Sequence, residues 1–79
     1  MNRREKVKDF LKRLGVYTFT MKDNPDGSEN EGSFGGCDCC GEANIVYRSD
    51  SWRETTKEII ERDLCFECLY MMVYDEEVV

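Results

Sequence analysis

Two Cys-x-x-Cys pairs, Cys37/Cys40 and Cys65/Cys68, constrain this chain more than any other feature. Two residues between paired cysteines let each pair turn back on one ion, and four thiolates make the closed tetrahedron of a structural zinc site. Gly41 follows the first pair directly, where a knuckle must leave at positive φ, a conformation glycine adopts without strain. The expected cofactor is one Zn2+ per chain, with Cys37, Cys40, Cys65 and Cys68 as ligands. Cys39, between two of them, is the spare. It is expected to point outward as a free thiol or to replace a neighbour as ligand.

A metal matters to a chain of 79 residues. One domain of that size buries only about 60–65% of its unfolded surface, and small scaffolds need disulfides, a metal or oligomerisation to hold together. The five cysteines are an odd number, and no charged-then-apolar signal segment precedes them, which argues against a secreted disulfide framework. Reduced thiols in the cytoplasm are expected instead. The longest apolar run, Leu69 to Tyr74, is far short of the roughly 20 residues a bilayer requires, so no membrane partner is expected.

The rest of the chain divides around the cysteines. Residues 1–22 read as a helix-strand unit. Val7, Phe10, Leu11 and Leu14 form one apolar stripe, Asn2 and Glu5 have capping-box spacing, and Gly15 is placed to end the helix in a left-handed turn. Val16 to Lys22 alternates, with Tyr17, Phe19 and Met21 on one face, as in a half-buried strand. Residues 23–36, rich in Gly, Ser, Asn and Glu, lack the apolar surface to offset their ordering entropy. They are expected as a mobile acidic loop, with Phe34 anchored on the core. Residues 37–74 make the metal module: a knuckle, a strand over 43–48, a returning strand over about 56–62, and a helix from 64 or 65. For 52–62 a helix is the alternative, against which β-branched Thr55, Thr56, Ile59 and Ile60 weigh. In the last helix Phe66, Leu69, Tyr70 and Val73 form the expected apolar stripe. Residues 75–79 are an acidic tail.

A Gly-ended knuckle, a hairpin, then Leu64-Cys65-Phe66-Glu67-Cys68 opening a helix resembles the treble-clef zinc finger family over residues 37–73. The resemblance implies a small zinc-stabilised α+β domain and says little about activity, since this fold carries many functions. A zinc ribbon is the close alternative. The 24 residues between the pairs slightly exceed the generic spacing of about 15–20 for a site of four cysteines.

No enzyme is expected. Catalytic zinc keeps an open position, usually with His ligands, and the chain contains no His. Charge bears on the partner. The net −6 divides into seven basic residues against Glu5 and Asp9 over 1–22, and four basic against fifteen acidic beyond. An acidic body repels phosphate backbones, so a protein partner is expected, with Arg3, Arg4, Lys8 and Lys12 among its candidate contacts and a nucleic-acid role confined to Arg3, Arg4, Lys6, Lys8, Lys12 and Arg13 on the first helix. Tyr70, Met71 and Tyr74 are further candidates for a partner surface or a homodimer contact, Met being adaptable at such surfaces. Core packing beneath the first helix is the simpler reading of Met71, Met72 and Tyr74. A thiol redox protein is a further alternative. So short a chain would suit a viral or mobile-element product acting on a host complex.

Overall fold

Among the eleven residues Ala43–Arg53, Val46 and Ser49 are buried, and this strand is the axis of the sheet. The computed structural model describes residues 1–78 and gives six elements. They are α1 (Arg3–Leu14), β1 (Thr20–Met21), β2 (Ser33–Gly36), β3 (Ala43–Arg53), β4 (Glu58–Cys65) and α2 (Phe66–Tyr74). All pairings are antiparallel to β3. β4 takes Val46 to Arg53 in one continuous register ending at Cys65, while β2 pairs with Ala43 to Val46 and β1 with Ser49 and Asp50. The result is a small α+β domain with a four-stranded sheet.

α1 forms as its caps require. The Asn2 side chain accepts from the Glu5 N–H at 2.9 Å, and Gly15 ends the helix at φ 70°. Its buried residues Val7, Phe10 and Leu11 meet Val16 and Phe19, with the Phe10 and Phe19 ring centroids 5.5 Å apart. Val46, Ile60, Leu64, Leu69 and Met72 close this core, and the cysteines are contiguous with it.

Several expectations are corrected. The strand over 16–22 shrinks to Thr20–Met21, and Tyr17 is 91% exposed while its neighbour Val16 and Phe19 are buried. The Val16 N–H still bonds back to the Leu11 carbonyl, so the chain folds under the helix there and has no strand partner before Thr20. The loop over 23–36 ends early, because Ser33–Gly36 is a strand. Phe34 is no core anchor: it is 75% exposed on that strand. On α2 the expected stripe Phe66, Leu69, Tyr70 and Val73 is mostly outside. Cys68, Leu69 and Met72 are buried instead, because Cys65 and Cys68 turn the helix toward Cys37 and Cys40. Over 52–62 the chain is strand, turn and strand: β3 runs on to Arg53 rather than ending at 48, and β4 runs to Cys65 rather than stopping near 62.

Asn24 and Asp26 order the loop's tip through bonds with Ser28, and Asn30 fastens its base to the sheet. β1 and β2 lie end to end on the same edge of β3, and the gap between them is bridged by Asn30. Its Nδ2 donates to the carbonyls of Lys22 (2.8 Å) and Arg48 (3.1 Å), and its Oδ1 accepts from the Gly32 N–H at 3.0 Å. Gly32 then turns the chain into β2 at φ 75°, where an added Cβ would lie 2.8 Å from Ile45 and Tyr47 atoms. Asn30→Asp, isosteric but without the amide donors, is expected to lower stability by about 1–3 kcal/mol. Urea unfolding of the two proteins, with unchanged metal content, checks it.

Candidate metal centre

Each half of the cluster is built by local backbone geometry. Cys37 follows β2. Its N–H donates to the Glu42 carbonyl (3.0 Å) and its carbonyl accepts from the Gly41 N–H (2.8 Å), closing a knuckle around Cys40 with Gly41 at φ 78°. Asp38 pins this knuckle to β4: its N–H donates to the Asp63 carbonyl at 2.9 Å, and its carboxylate accepts from the Asp63 N–H at 2.8 Å. The second half sits where β4 becomes α2. Cys65 occupies the N-cap with extended backbone and makes no side-chain capping bond. Cys68 lies one turn on. The positive end of the helix favours anionic sulfur at both positions.

The four sulfurs of Cys37, Cys40, Cys65 and Cys68 all lie within 4.8 Å of one another, and all four residues are buried. Cys37 and Cys68 sulfurs are 3.8 Å apart, and Cys40 and Cys65 sulfurs 3.9 Å apart. Ligands about 2.3 Å from a tetrahedral zinc are separated by about 3.8 Å, so the donor set fits one such ion in size as well as chemistry. These separations are far beyond a disulfide of about 2.05 Å, and all five cysteines are free thiols. The chain therefore carries a four-cysteine site positioned for a single metal ion. Cys39 is outside this set, and it is buried rather than pointing outward.

Crowding and burial oppose ionisation of the bare thiols. The bond to Cys68, with burial, pushes Cys37 up to about 12. Burial raises Cys65. Cys68 is lowered by the bond from Cys37 but raised on balance by Cys39 and burial. Four thiolates this close need a cation, and a divalent ion supplies it while displacing their protons.

Arg3 faces the cluster from α1. Its Nη1 lies 3.7 Å from the Cys65 sulfur and 3.6 Å from the Cys68 sulfur, while Nη2 pairs with Glu42 and Glu67, each at 3.0 Å. Bonding to Cys68 first, then Glu42, holds its guanidinium more firmly protonated than usual. Lys6 reaches the Cys40 carbonyl at 3.4 Å. Of the residues expected on a partner surface, Arg3 is thus turned inward, and Arg4 is occupied by Asp75 and Glu77. Lys8 and Lys12 are exposed on α1. Tyr70 and Tyr74 are exposed, whereas Met71 is partly buried against the core. Met72 is wholly buried. Arg3, Asp38, Glu42 and Glu67 were not assigned to the site from sequence. Arg3 carried a signal: it precedes Val7 by four positions and so shares the buried face of the helix.

No protein-family model, curated protein or solved structure matches this chain.

Two outcomes follow from this geometry. Arg3→Ala is expected to weaken metal retention roughly 10–100-fold, as removal of outer-shell partners does, measured by competition with a chromophoric chelator. Metal affinity should fall as pH falls, by up to a decade per pH unit for each displaced proton. The metal-free fold has the opposite sign. The neutral Cys37 thiol favours it below the ordinary value of 9.0, and that contribution is lost as pH rises toward about 12. Chelator-treated and metal-loaded samples should therefore diverge in melting temperature as pH is raised.

Proposed function

We propose that this protein is a small non-catalytic zinc-binding module that acts by binding another protein. The observation that carries the reading is the buried, closely clustered set of four cysteine sulfurs. Four thiolates saturate a tetrahedral ion and leave no position for water or substrate, which suits a structural rather than a catalytic role. Zinc is the metal that best suits four thiolates in this arrangement. The order of parts supports a treble-clef arrangement over a zinc ribbon, because a knuckle and the β3–β4 hairpin lead into a helix that bears Cys68. With the metal as staple, the work falls to surfaces, and apolar groups remain exposed on α2.

The alternatives have less support. A nucleic-acid role would rest chiefly on the exposed Lys8 and Lys12, because Arg3, Arg4 and Arg13 on α1 are each engaged by carboxylates. A thiol-exchange role needs an accessible thiol, and all five are buried. Among the described residues no helix is long and apolar enough to cross a membrane.

Native mass spectrometry of the purified protein is expected to give one zinc per chain, lost on mild acidification. Structural zinc contributes on the order of 10–16 kcal/mol in finger peptides, comparable with whole-domain stabilities of about 5–15 kcal/mol. Cys40→Ser and Cys68→Ser should accordingly lose both the metal and the cooperative melt seen by circular dichroism. A protein captured by the wild-type chain should be lost with Cys68→Ser. A gel shift with single- and double-stranded oligonucleotides that persisted at low salt would favour the nucleic-acid reading instead.

A further inference from the structure

α2 is apolar on both sides. Its inner side holds Cys68, Leu69 and Met72, yet Phe66, Tyr70, Val73 and Tyr74 on the outer side are 57%, 54%, 54% and 66% exposed. Three of these rings stack at successive turns: Phe66 and Tyr70 centroids are 6.1 Å apart, and Tyr70 and Tyr74 centroids 4.7 Å apart. Beside this ladder, α2 and β1 enclose a hollow of about 490 Å³ with Phe19, Met21, Leu69 and Val73 among its walls. A second hollow of about 380 Å³ lies where Phe66 and Tyr70 meet Arg3 and Met71. Tyrosine rings are large, rigid anchors that lose little conformational entropy on binding.

Charge decides what fits there. From Phe66 to Val78 the charged residues are Glu67, Asp75, Glu76 and Glu77, with no Lys or Arg. Arg3 engages Glu67, and Arg4 engages Asp75 and Glu77. No ion pair involves Glu76 among the described residues. The last turn of α2 has no basic residue, so the negative end of its dipole is unopposed within the helix and adds to these carboxylates. The ring faces themselves attract cations. A second copy of this chain, at net charge −6, would bring like charge to the contact, and an anionic lipid surface would do the same.

Resting on the interaction-module reading above, we propose that the Phe66–Tyr70–Tyr74 ladder and its hollow against β1 form the docking site for a basic, apolar segment of another protein. The segment's apolar side chains fill the hollow. Its Arg or Lys groups lie over Tyr70 and Tyr74 and meet Glu76.

The test uses the full, metal-loaded chain, labelled with 15N, and three peptides of equal length: alternating Leu and Arg, alternating Leu and Glu, and alternating Ser and Arg. The Leu/Arg peptide is expected to bind tightest, with amide shifts confined to residues 19–21 and 66–77. Tyr70→Ala and Tyr74→Ala should each weaken it roughly tenfold, as truncating an interface anchor does. Both side chains are exposed, so folding and metal content should be unchanged. Equal binding of Leu/Glu or Ser/Arg, shifts centred elsewhere, or indifference to both substitutions would overturn the assignment. Self-association abolished by Tyr70→Ala would also overturn it, giving the face to a second copy. The two readings fail separately. A cellular partner retained by the Tyr70→Ala/Tyr74→Ala double variant but lost by Cys68→Ser removes this surface and leaves the module.

Discussion

Mutual repulsion among four sulfurs is the constraint on which this structure depends. The fold brings them within 4.8 Å of one another in a buried place, where unbalanced thiolates would be very costly. Protonated, they are four small weakly polar groups. Around a divalent ion they become a tether between two segments, one ending a knuckle and one opening a helix. A bound ion would join these segments as a disulfide would, and would link two turns at once.

A complex of one Zn2+ and four thiolates carries a formal charge of −2. The protein supplies compensation from a distant part of its sequence, through the guanidinium of Arg3 against two of the four sulfurs. Glu42 and Glu67 in turn fix the orientation of that guanidinium. The first helix is therefore more than a lid on the hydrophobic core. At its other end Arg53 donates to the Leu14 carbonyl at 3.3 Å, so the helix is fastened near the metal at one end and near the hairpin turn at the other.

What could be read from the sequence followed physical range. Local signals were legible: the Asn2 cap, the Gly15 stop and the Gly41 knuckle; the turn chemistry of Ser49-Asp50-Ser51 misled, because pairing with β4 carries β3 straight through it to Arg53. The Cys-x-x-Cys pairs also announced themselves, because ligand spacing is a local property. Properties set by tertiary placement were not legible. The face that α2 buries was misassigned because two cysteines, each a small hydrophobe by burial, outweigh a row of aromatics once a metal orients the helix. Residues 33–36 have little strand propensity, with Gly35 and Gly36 among them, yet β3 offers an unpaired edge and captures them. Arg3 looked like a solvated helix charge because its partners lie 62 and 65 residues away.

That separation bears on the order of assembly. Arg3 is synthesised before the sulfurs it faces, which follow it by 62 and 65 residues. The hairpin of β3 and β4 closes over a short span and can form early, whereas contacts this distant in sequence pay their loop-closure entropy before any return. Until those sulfurs appear, α1 is an amphipathic helix without its docking surface, and twelve residues make only a marginal helix alone. An ion bound by the four sulfurs would then gather the knuckle, the helix-borne pair and, through Arg3, the first helix at one point.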